Sequence, residues 1–327
     1  MRAPGFWRPG PPSVIARVLQ PLGALYGAAA ARRMARPGVR AGAEVVCVGN
    51  FVAGGAGKTP AAIALARMLI DEGRRVAFLS RGYGGEKRPD PVRVDLSVHD
   101  ARTVGDEPLL LARVAPCWVA ADRVRSAALA VEAGAEVLLL DDGLQNPALA
   151  KDLSFAVVDG EQRFGNGLCV PAGPLRAPLA AQAPHVQALI VIGGDEAAAL
   201  EIAAAAPGKP ALRAGLEPDA IAAAALIGRE VVAFAGIARP EKFYATLRRV
   251  GAQLVATRDF PDHHVFSSHE IEALADQAAR RGALLATTEK DRARLTARQA
   301  QRVVTLPVTL RFEDPKAVRA MLRQLRT

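Results

Sequence analysis

Short apolar runs recur along the chain, and stretches with helical spacing separate them. In the first part the runs are residues 45–49, 76–80, 137–140, 155–158 and 188–192, each almost continuously apolar, as strands covered on both faces require. Residues 61–72, 108–114 and 123–133 have the spacing of helices between them, with Gly73 and Gly134 where helix ends are expected. A second series begins near Glu230, with strands predicted at 231–235, 253–257, 284–288 and 303–307 and helices at 241–250, 269–281 and 315–324. Strand and helix in alternation predict an α/β protein whose parallel sheets carry helices on both faces. Gly208, Pro210, Gly215 and Pro218 punctuate 207–227, which therefore reads as a linker. There is no internal repeat. The resulting division is an N-terminal helix with a basic flank (1–40), a doubly wound core (41–206), a hinge (207–228) and a smaller α/β domain ending in a helix (229–327).

The N-terminus has a different pattern. Residues 14–31 read VIARVLQPLGALYGAAAA, and Arg32, Arg33, Arg36 and Arg40 follow. Arg17, Gln20 and Pro21 interrupt the apolar run, whereas a membrane span needs about 20 apolar residues. A cleavable signal would carry its charge ahead of the apolar run, and here most of it follows. The segment reads as an interfacial helix whose basic flank sits near anionic headgroups on the cytoplasmic side. A helix packed on the domain and a single weak span are the other readings.

Composition narrows the partners. The chain has 327 residues, half of them apolar, which is enough for two cores. Its net charge of +9 comes mostly from arginine and favours anionic partners such as phospholipid headgroups or phosphorylated substrates. No basic run is interleaved with aromatics, so nucleic acid is not an expected partner, and no protein partner is evident. Cys47, Cys117 and Cys169 form no CxxC pair and match no zinc spacing; they read as small hydrophobic residues of a reducing compartment, the cytoplasm.

The chemistry starts after the first strand. EVVCVG leads into NFVAGGAGKTP and then a helix, which is the strand–glycine turn–helix context of a phosphate-binding P-loop. Gly54, Gly55, Ala56 and Gly57 would wrap the anion with backbone, Lys58 would reach the β- and γ-phosphates, and Thr59 would ligate Mg²⁺. The first glycine of the usual pattern is replaced by Val52. The run 137–140 ends in Asp141 and Asp142, the place where such a strand presents a carboxylate to the metal; spacing does not say which of the two does so.

Other segments are less specific alone. Asp106 and Glu107 precede Pro108 at a helix start, so Asp106 is either a cap or a carboxylate placed to accept a proton from an attacking hydroxyl. Two of the five histidines are adjacent in FPDHHVF, where an acid–base or carboxylate-orienting role fits better than a metal site. Arg81 in SRGYGG and Arg123 after Asp122 could each clamp a phosphate, and 163–167 with 171–176 forms a glycine- and proline-rich loop suited to a lid.

Read in order, PLGALYG with its basic flank, VGNFVAGGAGKTP, SRGYGG, VGDEPLLLA, ADR, LLLDDGLQ, RFGNG, PAGPLR, FPDHHVF and TEKD resemble the tetraacyldisaccharide 4'-kinase family of lipid A synthesis over most of the chain. The resemblance implies two α/β/α domains with the active site between them. It implies ATP and Mg²⁺ as cofactors, phosphorylation of the 4'-hydroxyl of tetraacyldisaccharide 1-phosphate, and work at the cytoplasmic face of the inner membrane. On matching positions it implies Lys58 and Thr59 on nucleotide and metal, Asp141 and Asp142 at the metal and reacting phosphates, and Asp106 as catalytic base with His263. It also implies Arg81, Glu107, Arg123 and Gln145 near substrate or phosphate. One position departs: members often carry an acidic residue where this chain has Ala177. The rival readings are a P-loop kinase of a soluble metabolite and a nucleotide switch. The switch would need an Asn-Lys-x-Asp element, and Lys290 and Asp291 are adjacent instead.

Overall fold

A computed structural model of the chain describes residues 4–86 and 89–325. The strands are β1 (Glu44–Gly49), β2 (Val76–Ser80), β3 (Val92–Arg93), β4 (Cys117–Val119), β5 (Val137–Asp141), β6 (Leu153–Asp159), β7 (Ala188–Ile192), β8 (Ala211–Pro218), β9 (Glu230–Ala235), β10 (Gln253–Asp259), β11 (Leu284–Thr287), β12 (Val304–Thr305) and β13 (Val308–Phe312). Among the described residues they form a nine-stranded sheet ordered β13-β8-β7-β6-β1-β5-β2-β4-β3 and a four-stranded sheet ordered β10-β9-β11-β12. All pairs are parallel except β13 with β8 and β3 with β4, at the two edges of the large sheet. The expected α/β class with parallel sheets is what the chain adopts.

β1 lies at the centre of the large sheet, between β5 and β6. Its inner residues Val45–Val48 are fully buried, because helices cover both faces. One face packs Leu65 and Leu69 of the helix Lys58–Asp71 over Phe78, Leu139 and Phe155; the other packs Leu79, Leu138 and Leu189. Each such side chain contributes about 1.5–3 kcal/mol of burial. Because the sheet is parallel, the loops after β1, β2 and β5 all emerge at one edge, where α/β proteins bind ligands.

Three expectations change here. The stretch 207–228, expected as a linker, contains β8 and the helix Ala220–Ala224. Gly215 and Pro218 are accommodated because β8 lies near the sheet margin, with its alternate residues only half buried. The last part of the chain leaves the smaller unit: β13 pairs antiparallel with β8, Phe312 opposite Ala214, and Val318 and Leu322 of the helix Pro315–Leu322 join the core of the large sheet. The run expected as a strand at 303–307 holds only the two-residue β12 of the small sheet; after Leu306-Pro307 the chain enters β13 of the large sheet.

The N-terminal helix Val14–Met34 is capped by Ser13 and continues through Pro21. Its inner face is a stripe of small residues: Ala16, Gly23, Gly27 and Ala30, with Met34 below. A Cβ on Gly27 would lie 2.8 Å from the Cys169 sulfur and one on Gly23 would lie 2.7 Å from the Cys169 carbonyl oxygen, so the helix sits close on the 163–176 loop. Its outer face carries Val14, Val18, Leu22 and Leu25, all more than half exposed.

Candidate active site

β1 ends at Gly49, and the turn to the helix Lys58–Asp71 is shaped by glycines with positive φ. Gly57 caps the helix at φ +88, and a Cβ there would lie 2.6 Å from Ile192 Cδ1, so only glycine fits. The helix then presents its first backbone N–H groups to the open edge, the arrangement that binds phosphate. The Lys58 ammonium turns back over the loop, 3.4 Å from the Gly54 carbonyl and 3.7 Å from Asp142 Oδ2.

Asp141 ends β5, in register with Val48 of β1, and so stands beside the phosphate loop. The Thr59 hydroxyl donates to its Oδ2 at 3.2 Å. The other oxygen, Oδ1, is buried with no hydrogen-bond partner among the described residues. Burial pushes the carboxyl pKa up, the negative charge of Glu107 adds to the rise, and Lys58 opposes it. A buried, half-unsatisfied carboxylate beside a threonine hydroxyl at a phosphate loop suits a hard divalent cation whose remaining ligands are phosphate and water. Among the described residues no cluster of three or more acidic, histidine or cysteine side chains could hold a metal without such help.

Asp142 is held differently. Arg176 forms a two-pronged pair with it, Nη1 to Oδ1 at 2.7 Å and Nη2 to Oδ2 at 3.0 Å. Burial would raise its pKa, but Lys58 and Arg176 outweigh that and keep it below the usual carboxylate value. Its backbone is left-handed at φ 56, as is that of His263 at φ 58; non-glycine residues adopt this region rarely and often at functional positions.

The second cluster joins the two sheets. Gly105, at φ +88, lets the chain pass close under Tyr83, where a Cβ would lie 2.7 Å from the Tyr83 carbonyl oxygen, and the helix Asp106–Ala112 starts there. Asp106 is 2 % exposed. Its Oδ2 lies 3.1 Å from His263 Nδ1 and accepts from Arg294 Nε at 2.6 Å. Burial would raise the pKa of this carboxyl, but the His263 hydrogen bond and the charges of Lys290 and Arg294 hold it well below the carboxylate range. The Tyr83 ring meets His263 edge-on at 4.8 Å. A cavity of about 560 Å³ separates the phosphate loop from the second unit, with Lys58 on one wall and Arg239, Lys242 and Lys290 on the other.

The sequence-predicted residues therefore separate into groups. Gly54 to Thr59, Asp141 and Asp142 meet at one edge, and Asp106 meets His263 across the cleft. Glu107, expected near substrate or phosphate, pairs with Lys290 at 2.9 Å and helps join the units. Gln145 is buried and used as a brace: it donates to Asn50 O and Gln182 Oε1 and accepts from Arg176. Arg123 is buried against the Ala120 carbonyl, and desolvation lowers its pKa to about 10 while Asp141 opposes the shift. Arg81 is exposed at the same edge. The glycine–proline loop locks onto the phosphate loop, with Ala53 N donating to Pro174 O and Arg176 N to Phe51 O. The roles of Arg176, Arg239, Lys242 and Arg294 were not assigned from sequence, since their partners lie 34 to 188 positions away.

The chain is similar to known proteins over nearly its whole length. The family model Tetraacyldisaccharide-1-P 4'-kinase matches residues 15–326. A tetraacyldisaccharide 4'-kinase of Methylobacterium sp. (strain 4-46) is 59% identical over 326 residues, covering 99% of this chain and 98% of that protein. One from Rhodopseudomonas palustris (strain BisB18) is 52% identical over 325 residues, covering 98% and 94%. Among solved structures, LpxK from Aquifex aeolicus, described as an "apo" form in complex with ATP, superposes with a TM-score of 0.73 at 24% identity, covering 95% of this chain and 99% of that one. A match of this length, over a chain with this site, makes it a member of the tetraacyldisaccharide-1-P 4'-kinase family.

Proposed function

We propose that this kinase transfers the γ-phosphoryl group of ATP to the 4'-hydroxyl of tetraacyldisaccharide 1-phosphate, working at the cytoplasmic face of the inner membrane. Two observations carry the proposal: a phosphate loop whose Thr59 meets the buried Asp141, and a buried Asp106 of the large-sheet unit that meets His263 of the small-sheet unit. The ATP-bound relative with the same fold supports the nucleotide, and the names of close relatives support the acceptor.

Lys58 and the first N–H groups of the helix Lys58–Asp71 would bind the β- and γ-phosphates. Thr59 and Asp141 would hold Mg²⁺, which when bound supplies charge that offsets the negative charge on the reacting phosphates. Asp142 would keep Lys58 and Arg176 turned toward that charge. Asp106 would accept the hydroxyl proton, with His263 fixing its orientation. An ionised, low-pKa carboxylate suits a transition state in which bond making lags and the proton leaves late. Closure of the second unit would exclude water and so limit hydrolysis.

The apolar outer face of the helix Val14–Met34 is the best candidate for membrane contact. By length and composition the helix could also span, and 22% of its most apolar window is buried against the protein.

The test offers ATP or GTP with three acceptors: the tetraacyl lipid in micelles, a deacylated disaccharide phosphate, and water. ATP-dependent product on the lipid alone supports the reading. Preference for the deacylated acceptor would replace it with a soluble-metabolite kinase.

A further inference from the structure

The TEKD segment and the residues after it have no part in the chemistry above, yet they place a buried cation on the carboxylate proposed to react. Arg294 is 4% exposed on its side chain and Asp106 2%. Arg294 Nε donates to Asp106 Oδ2 at 2.6 Å, on the same oxygen that faces His263 Nδ1. Asp106 Oδ1 accepts only the backbone N–H of Glu107, at 2.8 Å, among the described residues. Each carboxylate oxygen has two acceptor sites. Oδ2 is saturated by His263 and Arg294, and Oδ1 keeps one site open.

Arg294 is itself braced entirely from the second unit. Its Nη1 donates to Gly236 O at 2.8 Å and to Asp291 Oδ1 at 3.0 Å. Asp291 is fully buried, and it accepts from Gly236 N and from the Thr288 hydroxyl. Gly236 follows β9, an inner strand of the small sheet, so the guanidinium is fixed to that sheet and reaches Asp106 only when the second unit is seated. Its Nη2 has no partner among the described residues, and Arg294 lines a cavity of about 210 Å³ with Tyr83, Asp106, His263 and Val265.

We infer that Arg294 is a positioning residue for Asp106: braced by Asp291 and Gly236, it links seating of the second unit to a carboxylate that is ionised and turned so that Oδ1 receives the acceptor proton. The inference rests on reading Asp106 as the proton acceptor. The titratable and charged groups around Asp106 are Glu107 beside it, His263 and Asp262 on the loop opposite, Lys290 and Asp291 of the TEKD segment, and Arg294 just after it. Tyr83, Arg102 and Glu86 line the cavity mouth. Arg294 and Lys290 both lower the Asp106 pKa, so removing Arg294 raises it.

The test uses the full chain as wild type, Arg294→Gln, Arg294→Lys and Asp106→Asn. Lipid phosphorylation in micelles is followed across pH, and ATP affinity is measured separately. Arg294→Gln is expected to lower kcat about 100-fold, to leave KM for ATP within about threefold, and to move the acid limb of kcat to higher pH. Arg294→Lys keeps the charge but not the forked bracing, so its acid limb stays near that of wild type while kcat falls by less. An Arg294→Gln enzyme with wild-type kcat, or one whose kcat falls with the acid limb unmoved, overturns the inference. If Arg294→Gln no longer binds ATP, Arg294→Lys decides, and full kcat in that variant is equally fatal. Asp106→Asn separates the two readings: should it keep wild-type kcat, Asp106 is not the proton acceptor, whatever Arg294 does. If it loses activity while Arg294→Gln does not, only the Arg294 role fails.

Discussion

Asp106 is buried against Arg294 and His263, and the cost of that arrangement appears when one partner is removed. Asp106→Ala strands a buried guanidinium and is expected to destabilise the fold by about 3–5 kcal/mol, read by chemical denaturation at neutral pH. The folded pKa of Asp106 lies below its unfolded value of about 3.9, so its contribution to stability is complete above that value. It is lost as pH falls through the folded pKa, and the gap between wild type and Asp106→Ala should narrow only in strong acid. Asp142 separates charge from backbone strain. Its φ of 56 is one that asparagine tolerates, so Asp142→Asn should keep the fold while releasing Arg176 and Lys58. We expect phosphoryl transfer to fall at least 10-fold with the melting temperature within a few degrees of wild type. A matching loss of stability would mean that Asp142 serves the fold instead.

The N-terminal helix has two faces that predict opposite outcomes. Leu22→Glu with Leu25→Glu changes exposed positions and should leave stability unchanged while reducing co-sedimentation with anionic vesicles. Gly27→Val adds a Cβ 2.8 Å from the Cys169 sulfur and should destabilise the protein by about 1–3 kcal/mol with no direct effect on vesicle binding. Vesicle binding by the double glutamate variant equal to wild type would remove the membrane role from this face. The same contrast of local and distant signals explains what the sequence disclosed. β1, the phosphate loop and the helix after it were legible because strand run, glycines and helix are contiguous. β4 was not, since three residues make no periodic pattern, and β8 was masked by Gly215 and Pro218. The return of β13 to β8 depends on pairing residues about 90 positions apart, which no local pattern encodes. In the site, Lys58, Thr59 and the Asp141–Asp142 pair follow from motif spacing, which does not choose between the two acids. Arg176 and Arg294 are single arginines in a chain rich in arginine, and only the folded arrangement separates them from the rest.

At the scale of the molecule, the two units meet through charged contacts on both sides of the cleft. Asp159 accepts from Arg239 at 2.8 Å and from Lys242 at 2.6 Å, while Glu107 meets Lys290. Such contacts can close a cleft and still let it reopen, because they exchange readily with water and phosphate. Glu107→Gln removes one charge from this set and should raise the ratio of ATP hydrolysis to lipid phosphorylation, with nucleotide affinity little changed. The net charge of +9 predicts that binding to anionic vesicles weakens with added salt. The central claim is that one cleft binds ATP through Lys58 and activates a lipid hydroxyl through Asp106. Its most direct test is transfer of labelled γ-phosphate to tetraacyldisaccharide 1-phosphate in micelles by wild type, Lys58→Ala and Asp106→Asn, with ATP binding measured in parallel. The account predicts labelled lipid from wild type, loss of both binding and transfer in Lys58→Ala, and loss of transfer with binding retained in Asp106→Asn. Labelled lipid at the wild-type rate from Asp106→Asn, or ATP hydrolysis by wild type with no labelled lipid, would contradict it.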